Sequence, residues 1–267
     1  MLDHLPPEAR VLDLGCRDGS FPADQYKFQT VRVDMVRPKA GLGGFVQADS
    51  ARLPFQSASF DLVVLNHVLE HFSELPSALD EIGRVVKKTG SVFVAVPDAS
   101  TFGDRLYRLL YKDSGGHVNR FESPAELAET FSAKFGLPHV GTRTLFTSLV
   151  YLNRNNTREP GVRGQMRVGG LWQPLVVSIN AACRLFDRWF GTRSSVYGWA
   201  LYFGWIGEPL DLQPFENVCV RCGEAHPAPM IEQWKRVRRR FPVPLYECPG
   251  CHTLNVFVHD RPAARLR

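Results

Sequence analysis

Residues 11–21 of this chain read Val-Leu-Asp-Leu-Gly-Cys-Arg-Asp-Gly-Ser-Phe, and this stretch decides the fold. An apolar run enters it, a carboxylate precedes the first glycine, and a second glycine follows four residues later. This order is typical of a buried strand that ends in a turn against which a ligand binds. Gly15 can let the backbone approach a ligand closely, and Gly19 can begin a helix packed tightly on the sheet.

Polar residues end the apolar runs that follow. Asp34 ends the second run, 19 residues after Gly15, and Asp49 precedes Leu-Pro-Phe at 53–55. Asn66 ends a later run, and His-Val-Leu-Glu-His at 67–71 comes directly after it. A dinucleotide-binding protein is disfavoured, because the third glycine of Gly-x-Gly-x-x-Gly is out of register.

At these residues the chain resembles the class I S-adenosylmethionine-dependent methyltransferases, in particular the small-molecule branch called type 11. The resemblance covers 11–146 and extends to about 207, and Arg17 replaces the middle glycine of the family's turn. It implies an α/β fold: a Rossmann-like, doubly wound, mostly parallel seven-stranded sheet with an antiparallel final hairpin.

The resemblance also implies a set of residues around S-adenosylmethionine. Asp34 would accept both ribose hydroxyls, and Asp49 would take the adenine amino group. The full predicted cofactor set is Asp13, Gly15, Cys16, Gly19, Asp34, Met35, Asp49, Ser50 and Asn66.

Two histidines are candidate proton acceptors. His67 follows the fourth strand, and His117 stands in a segment that resembles the family's substrate side. A histidine there can take a proton from a hydroxyl or amine as the methyl group moves. The alternative is that His67, Glu70 and His71 only tie the helix to neighbouring loops. A base is not obligatory, because in-line positioning of donor and acceptor can suffice.

Four of the six cysteines form two Cys-x-x-Cys pairs, Cys219/Cys222 and Cys248/Cys251. Without a visible secretory signal, this spacing predicts a structural zinc site rather than disulfides. The pairs resemble a zinc ribbon, a module of two hairpins. Cys16 and Cys183 are predicted to be packed small side chains. His226 and His252 are alternative ligands.

Positive charge is concentrated near the end of the chain. Residues 213–267 contain nine Lys/Arg and five Asp/Glu, so +1 of the net +5 is left for the rest. The basic run 234–241 predicts a nucleic-acid contact, with Trp234 and Phe241 available to stack on bases. The alternative is a solvated face that balances the charge of the zinc site.

The length favours two domains: a methyltransferase domain at 1–208 with an insert at 153–195, and a zinc ribbon at 213–260. The insert contains a predicted apolar helix at 172–190, which would be a lid, a homodimer face or core. No apolar run reaches the roughly 18 residues of a membrane span, so we expect a soluble, cytoplasmic protein.

The main function predicted is methyl transfer from S-adenosylmethionine to an O, N or C nucleophile, and the type 11 resemblance favours a small-molecule acceptor. Two alternatives stay open at this point. One is a non-catalytic binding protein on the same fold, and the other is an RNA or protein methyltransferase whose ribbon docks the substrate.

Strands are predicted at 9–14, 29–34, 45–48, 60–65, 90–96, 139–152 and 196–206, and helices at 20–26, 75–86, 104–111 and 172–190, with one more after Ser123.

Overall fold

The structure is a computed structural model that describes residues 1–17, 19–21, 23–38, 43–110, 117–146, 149–157, 170–205, 215–234, 237–238 and 243–258. These residues form two compact units. The first consists of the described residues within 1–97, 117–142 and 199–212, and the second of those within 98–116, 143–198 and 213–267. Residues 206–214, which contain the predicted domain boundary, and residues 259–267 lie outside the described residues.

Seven strands follow one another in the sheet in the order β3-β2-β1-β4-β5-β7-β6. β1 to β5 lie in the first unit, and β6 and β7 contribute residues to both units. β1 to β5 pair in parallel with their neighbours. The order reverses between β1 and β4, and in such sheets ligands bind at the carboxyl ends of the strands beside that reversal. The predicted Rossmann-like α/β fold is therefore confirmed. The strands are β1 Arg10–Leu14, β2 Gln29–Asp34, β3 Phe45–Gln47, β4 Phe60–Asn66, β5 Val86–Pro97, β6 His139–Phe146 and β7 Val196–Gly204.

The helices are α1 Leu75–Val85, α2 Phe102–Leu110, α3 Pro124–Phe135, α4 Gln173–Phe190 and α5 Ala228–Gln233. α1 and α3 pack together in the first unit. The buried apolar side chains of both helices lie against the sheet in one core. α3 begins as predicted, because the Ser123 hydroxyl accepts the Glu126 backbone N–H at 3.3 Å. None of the described helices has the length and apolar character needed to cross a membrane.

Three local predictions were wrong. The strand predicted at 139–152 ends at Phe146, and Val150–Leu152 form a 3₁₀ turn, because Leu149 adopts a φ of 47° that extended backbone does not have. The segment 20–26 contains only a 3₁₀ turn at Ala23–Gln25 among its described residues, because so short a segment cannot nucleate a helix. The strand predicted at 90–96 begins earlier, at Val86, directly after α1 ends at Val85. Buried Val86 pairs with Phe60, so burial on the sheet extends the strand through Lys87, Lys88 and Gly90, residues that are typical of a helix end.

The second unit contains two sets of paired strands. Residues 144–146 of β6 pair in parallel with β8, Phe215–Val218, which pairs antiparallel with β9, Ala225–Pro227. A separate antiparallel sheet comprises β10 Val237–Arg238, β11 Leu245–Glu247 and β12 Leu254–Val256. These strands extend the seven-stranded pattern predicted from sequence.

The predicted helix of the insert is present as α4. Its buried face includes Val176, which packs with Leu149, Leu152 and Val220 inside the second unit. Asp187, also buried, accepts the backbone N–H of both residues 194 and 195. The large apolar side chains of the predicted stripe point outward instead: Trp172, Leu175, Phe186, Trp189 and Phe190 are exposed. The lid and homodimer interpretations of this helix remain predictions.

Candidate active site and metal centre

The turn after β1 needs glycine at its first position for two reasons. Gly15 has a φ of 69°, in the left-handed region that favours glycine. A side chain here would also overlap the Val68 methyl groups, which lie directly against the backbone. The N–H groups of Gly15 and Cys16 both donate to the Val33 carbonyl, at 2.7 and 3.1 Å. The turn is thus held between the ends of β2 and β4.

Asp13 is fully buried just before this turn. Its Oδ2 accepts the Ser20 backbone N–H at 2.9 Å. Burial raises the pKa of this carboxyl, and the Ser20 hydrogen bonds offset part of the rise. Its Oδ1 is buried and has no hydrogen-bond partner among the described residues. A buried acceptor of this kind is suited to a ligand that brings a donor or a positive charge.

Asp34 ends β2 with a carboxylate that keeps acceptor capacity. Its Oδ2 accepts the Arg17 N–H at 3.0 Å, and its Oδ1 accepts the Val36 N–H at 2.9 Å. Each oxygen retains a further lone-pair site, so the group can still accept two hydroxyls. Met35, next to it, is 67% exposed. The predicted ribose contact thus fits a carboxylate already oriented by the backbone.

Asp49 follows β3 and is joined to the same edge of the sheet, because the Ala48 N–H donates to the Asp34 carbonyl at 3.2 Å. The Asp49 carboxylate accepts the Ala51 N–H at 2.9 Å, and this bond lowers its pKa. An ionised acceptor here suits an amino group. Ser50 beside it is half-buried.

Cys16 and Gly19 complete the turn, where the Gly19 N–H donates to the Cys16 carbonyl at 2.6 Å. Burial raises the pKa of the Cys16 thiol to about 12, so this group is a packed thiol and not a nucleophile. Asn66 is the last residue of β4 and pairs with Ala95. The predicted cofactor residues therefore lie at the carboxyl ends of β1, β2 and β4 or in the segments that follow β1 to β3.

The two candidate bases, His67 and His117, both lie close to Glu70, a residue that was predicted only to tie the helix to neighbouring loops. Glu70 is 1% exposed. Its Oε1 lies 3.9 Å from His67 Nδ1, 3.8 Å from His71 Nε2 and 3.9 Å from His117 Nε2. The spacing of residues 67, 70 and 71 was visible in the sequence. The approach of His117 from far along the chain was not.

The four paired cysteines meet in the second unit. Cys219 and Cys251 Sγ are 3.5 Å apart, and Cys222 and Cys248 Sγ are 3.7 Å apart. All four sulfur atoms lie within 4.8 Å of one another. Thiolates at about 2.3 Å from a tetrahedral zinc ion would be about 3.8 Å apart. The arrangement therefore fits one zinc ion with four thiolate ligands.

The alternative ligands differ in position. His226 is buried, with Nε2 3.5 Å from Cys248 Sγ, whereas His252 points to Glu247 at 2.9 Å. Trp234 lies edge-on against His226, with ring centroids 5.3 Å apart. Of the basic run 234–241, only Trp234, Val237 and Arg238 are described, and a nucleic-acid contact there remains a prediction.

Comparison with known proteins identifies the first unit's family. Residues 1–139, just over half of the chain, match the model of a methyltransferase domain family. The chain belongs to the class I S-adenosylmethionine-dependent methyltransferases. The zinc-ribbon resemblance receives no such family match.

Three known proteins show how far the similarity extends along this chain. The chain is 28% identical over 139 residues to the malonyl-(acyl-carrier protein) O-methyltransferase of Legionella pneumophila, covering 47% of this chain and 49% of that protein. It is 30% identical over 134 residues to the same-named protein of Pseudescherichia vulneris, covering 47% and 53%. This chain thus spans about half the length of these curated relatives. The solved structure of YcgJ from Bacillus subtilis covers 75% of this chain and 94% of its own, with 18% identity and a TM-score of 0.47.

Proposed function

We propose that this chain is an enzyme that transfers the methyl group of S-adenosylmethionine to an oxygen, nitrogen or carbon nucleophile of a small molecule. One observation carries the proposal: hydrogen bonds connect the glycine turn to Asp13 and to Asp34 at the carboxyl ends of β1 and β2. When bound, S-adenosylmethionine supplies an activated methyl group on a sulfonium.

Each acidic residue has a distinct binding role in this proposal. Asp34 accepts the ribose hydroxyls, since both of its oxygens are already oriented by backbone N–H groups. Asp49 accepts from the adenine amino group. Asp13, Gly15, Cys16 and Gly19 surround the methionine part and the ribose, with Met35, Ser50 and Asn66 beside them. The buried, half-satisfied carboxylate of Asp13 supports its contact with a donor on the cofactor.

His67 and His117 are the proposed acceptors of the proton that leaves an acceptor hydroxyl or amine. Each imidazole has a ring nitrogen 3.9 Å from the buried Glu70 carboxylate. Because two curated relatives are named O-methyltransferases, oxygen is the first acceptor atom to test. A tritiated methyl donor incubated with pooled small-molecule extracts would reveal the acceptor class.

The decisive experiment is calorimetric titration of the full chain with S-adenosylhomocysteine. We expect binding by the wild type, and we expect Asp34→Ala to weaken it by about 1–3 kcal/mol through lost charge-assisted hydrogen bonds. Asp80→Ala is the matched control, because Asp80 is an exposed carboxylate that pairs with Lys134 on α3. A wild type that binds neither donor nor product at millimolar concentration would overturn the proposal.

The domain organisation also belongs to this proposal. Residues 1–208 form the methyltransferase domain with its insert at 153–195, and 213–260 form a zinc ribbon held by Cys219, Cys222, Cys248 and Cys251. A cytoplasmic location follows from the same thiols, since the cytosol keeps such ligands reduced.

We further propose a homodimer through α4, whose Trp189 is 72% exposed and Phe190 64%. Trp189→Ser should then halve the mass measured by light scattering, whereas Arg188→Ser on the same helix should not.

A further inference from the structure

We propose that Glu70, His71 and His117 form a divalent metal site, separate from the four-cysteine site and beside the cofactor turn. The ligand atoms of these three residues, two imidazole nitrogens and one carboxylate oxygen, lie within 4.8 Å of one another. Metal binding by this cluster does not depend on methyl transfer. A metal-bound His117 cannot take up a proton, so an occupied site leaves His67 as the proton acceptor.

The distances fit ligands of one ion better than hydrogen bonds. Glu70 Oε1 is 3.8 Å from His71 Nε2 and 3.9 Å from His117 Nε2, beyond the 2.7–3.2 Å range of N–H···O bonds. Ligand atoms about 2.1 Å from a tetrahedral ion lie about 3.4 Å apart. The observed distances would have to close by about 0.4–0.5 Å when an ion binds.

The backbone holds the three side chains in place. The N–H groups of Val118 and Asn119 donate to the Glu70 carbonyl at 2.8 and 3.0 Å. The Asn119 side-chain amide donates to the carbonyls of Leu69 and Phe72 at 2.8 and 2.7 Å. Four hydrogen bonds thus attach the segment that carries His117 to the segment that carries Glu70 and His71. A ligand set held by its own backbone loses little entropy when a metal binds.

The set is also sheltered from water. The side chains of Glu70, His117 and His71 are 2%, 6% and 12% exposed. The rings of His71 and His117 meet edge to face, with centroids 5.0 Å apart. Metal ligands buried in this way face less competition from solvent, and their orientation is fixed by packing.

The donor types select the class of ion. Two imidazoles and one carboxylate suit Zn²⁺, Fe²⁺, Mn²⁺ or Co²⁺, whereas Mg²⁺ and Ca²⁺ prefer sites built from oxygen. Three protein ligands leave positions that water or an oxygen of a bound molecule can fill. Glu70 and His71 stand two and three residues after Val68, which packs against Gly15 of the cofactor turn. The site therefore adjoins that turn. An oxygen-bearing acceptor is the class of molecule that such an ion would take, and this one point rests on the proposed function.

Cobalt(II) chloride titration of the metal-depleted full chain tests the site. We expect two ions per chain in the wild type. One gives the strong thiolate-to-cobalt charge-transfer absorption of the cysteine site, and the other gives weak bands without it. His117→Ala and Glu70→Gln should lose the second ion and keep the first, whereas Cys248→Ser should disturb only the first. His139→Ala is the matched control, because this histidine bonds Thr142 away from the cluster.

Each outcome of the titration decides the question. A wild type that gives only the thiolate-to-cobalt charge-transfer absorption, or weak bands retained in both His117→Ala and Glu70→Gln, overturns the metal site and leaves His117 as a candidate base. Loss of the weak bands in either variant supports the site. If Glu70→Gln does not fold, His71→Gln with His117→Ala gives the same readout. Titration of the same samples with S-adenosylhomocysteine separates the inferences, since loss of cobalt with retained cofactor binding concerns the metal site alone.

Discussion

The guanidinium Nε of Arg84 donates to Oε1 of Glu81 at 2.6 Å, and the same two side chains hold the loop after Asp49. Arg84 also donates to the carbonyls of Leu53 and Phe55, and Glu81 accepts the Leu53 N–H at 2.7 Å. The loop that bears Asp49 is thereby fixed to α1.

This network predicts acid sensitivity. The Arg84 hydrogen bonds lower the pKa of Glu81. The ionised Glu81 side chain therefore stabilises the fold above its unfolded-state pKa, near 4.5, and this stabilisation is lost as the pH falls through its folded-state pKa. Glu81→Gln should cost about 1–2 kcal/mol at neutral pH, and the difference from wild type should shrink on acidification to pH 3. Urea unfolding across this range measures it. Glu129→Gln, exposed on α3, is the control, and a pH-independent difference would contradict the prediction.

Asp13 should show the opposite sign. Burial raises its pKa above the ordinary 3.8, so the ionised carboxylate opposes folding, and stability falls as pH rises through the window that begins near 3.8. Asp13→Asn should therefore unfold at a higher temperature than wild type at pH 7, while binding S-adenosylhomocysteine more weakly. Calorimetric scans with Asp80→Asn as control measure both properties. A variant that loses stability at pH 7 would show that the charge of Asp13 is compensated in the folded state.

Arg17 stands where the family has glycine and adopts a φ of 50°. A non-glycine residue in this region costs about 1–2 kcal/mol, and glycine loses about 0.5–1 kcal/mol in unfolded-state entropy. Arg17→Gly should thus be neutral or stabilising by up to about 1 kcal/mol, whereas Arg17→Val should lower the melting temperature by several degrees. Equal melting temperatures for the two variants would refute this account of the turn.

Because four cysteines form one site, we expect elemental analysis of the wild-type protein to find about one zinc ion per chain. Cys248→Ser should lose that zinc and expose 215–258 to protease, because a module this small does not hold a core without its metal. Cys183→Ser keeps all four ligands and should retain zinc. A metal-free tail that resists protease would rule the zinc ribbon out.

Strand ends were the most predictable part of the site. Gly15, Asp34 and Asn66 each follow an apolar run, and a parallel sheet brings such ends to one edge. The start of β5 at Val86 was not predictable, because the lysines after it match a helix stop and only tertiary pairing overrides them. The approach of His117 to Glu70 depends on hydrogen bonds of Asn119 across the chain, which no local pattern reports.

The two cysteine pairs occupy the turns of separate hairpins, so the ribosome releases them at different times. At about 5–20 residues per second, roughly one to five seconds pass between the emergence of Cys222 and that of Cys248. For that interval the nascent chain presents only two of the four thiols, so a zinc site of the proposed kind can be completed only after Cys251 has emerged. Metal binding would then join two hairpins that leave the ribosome separately.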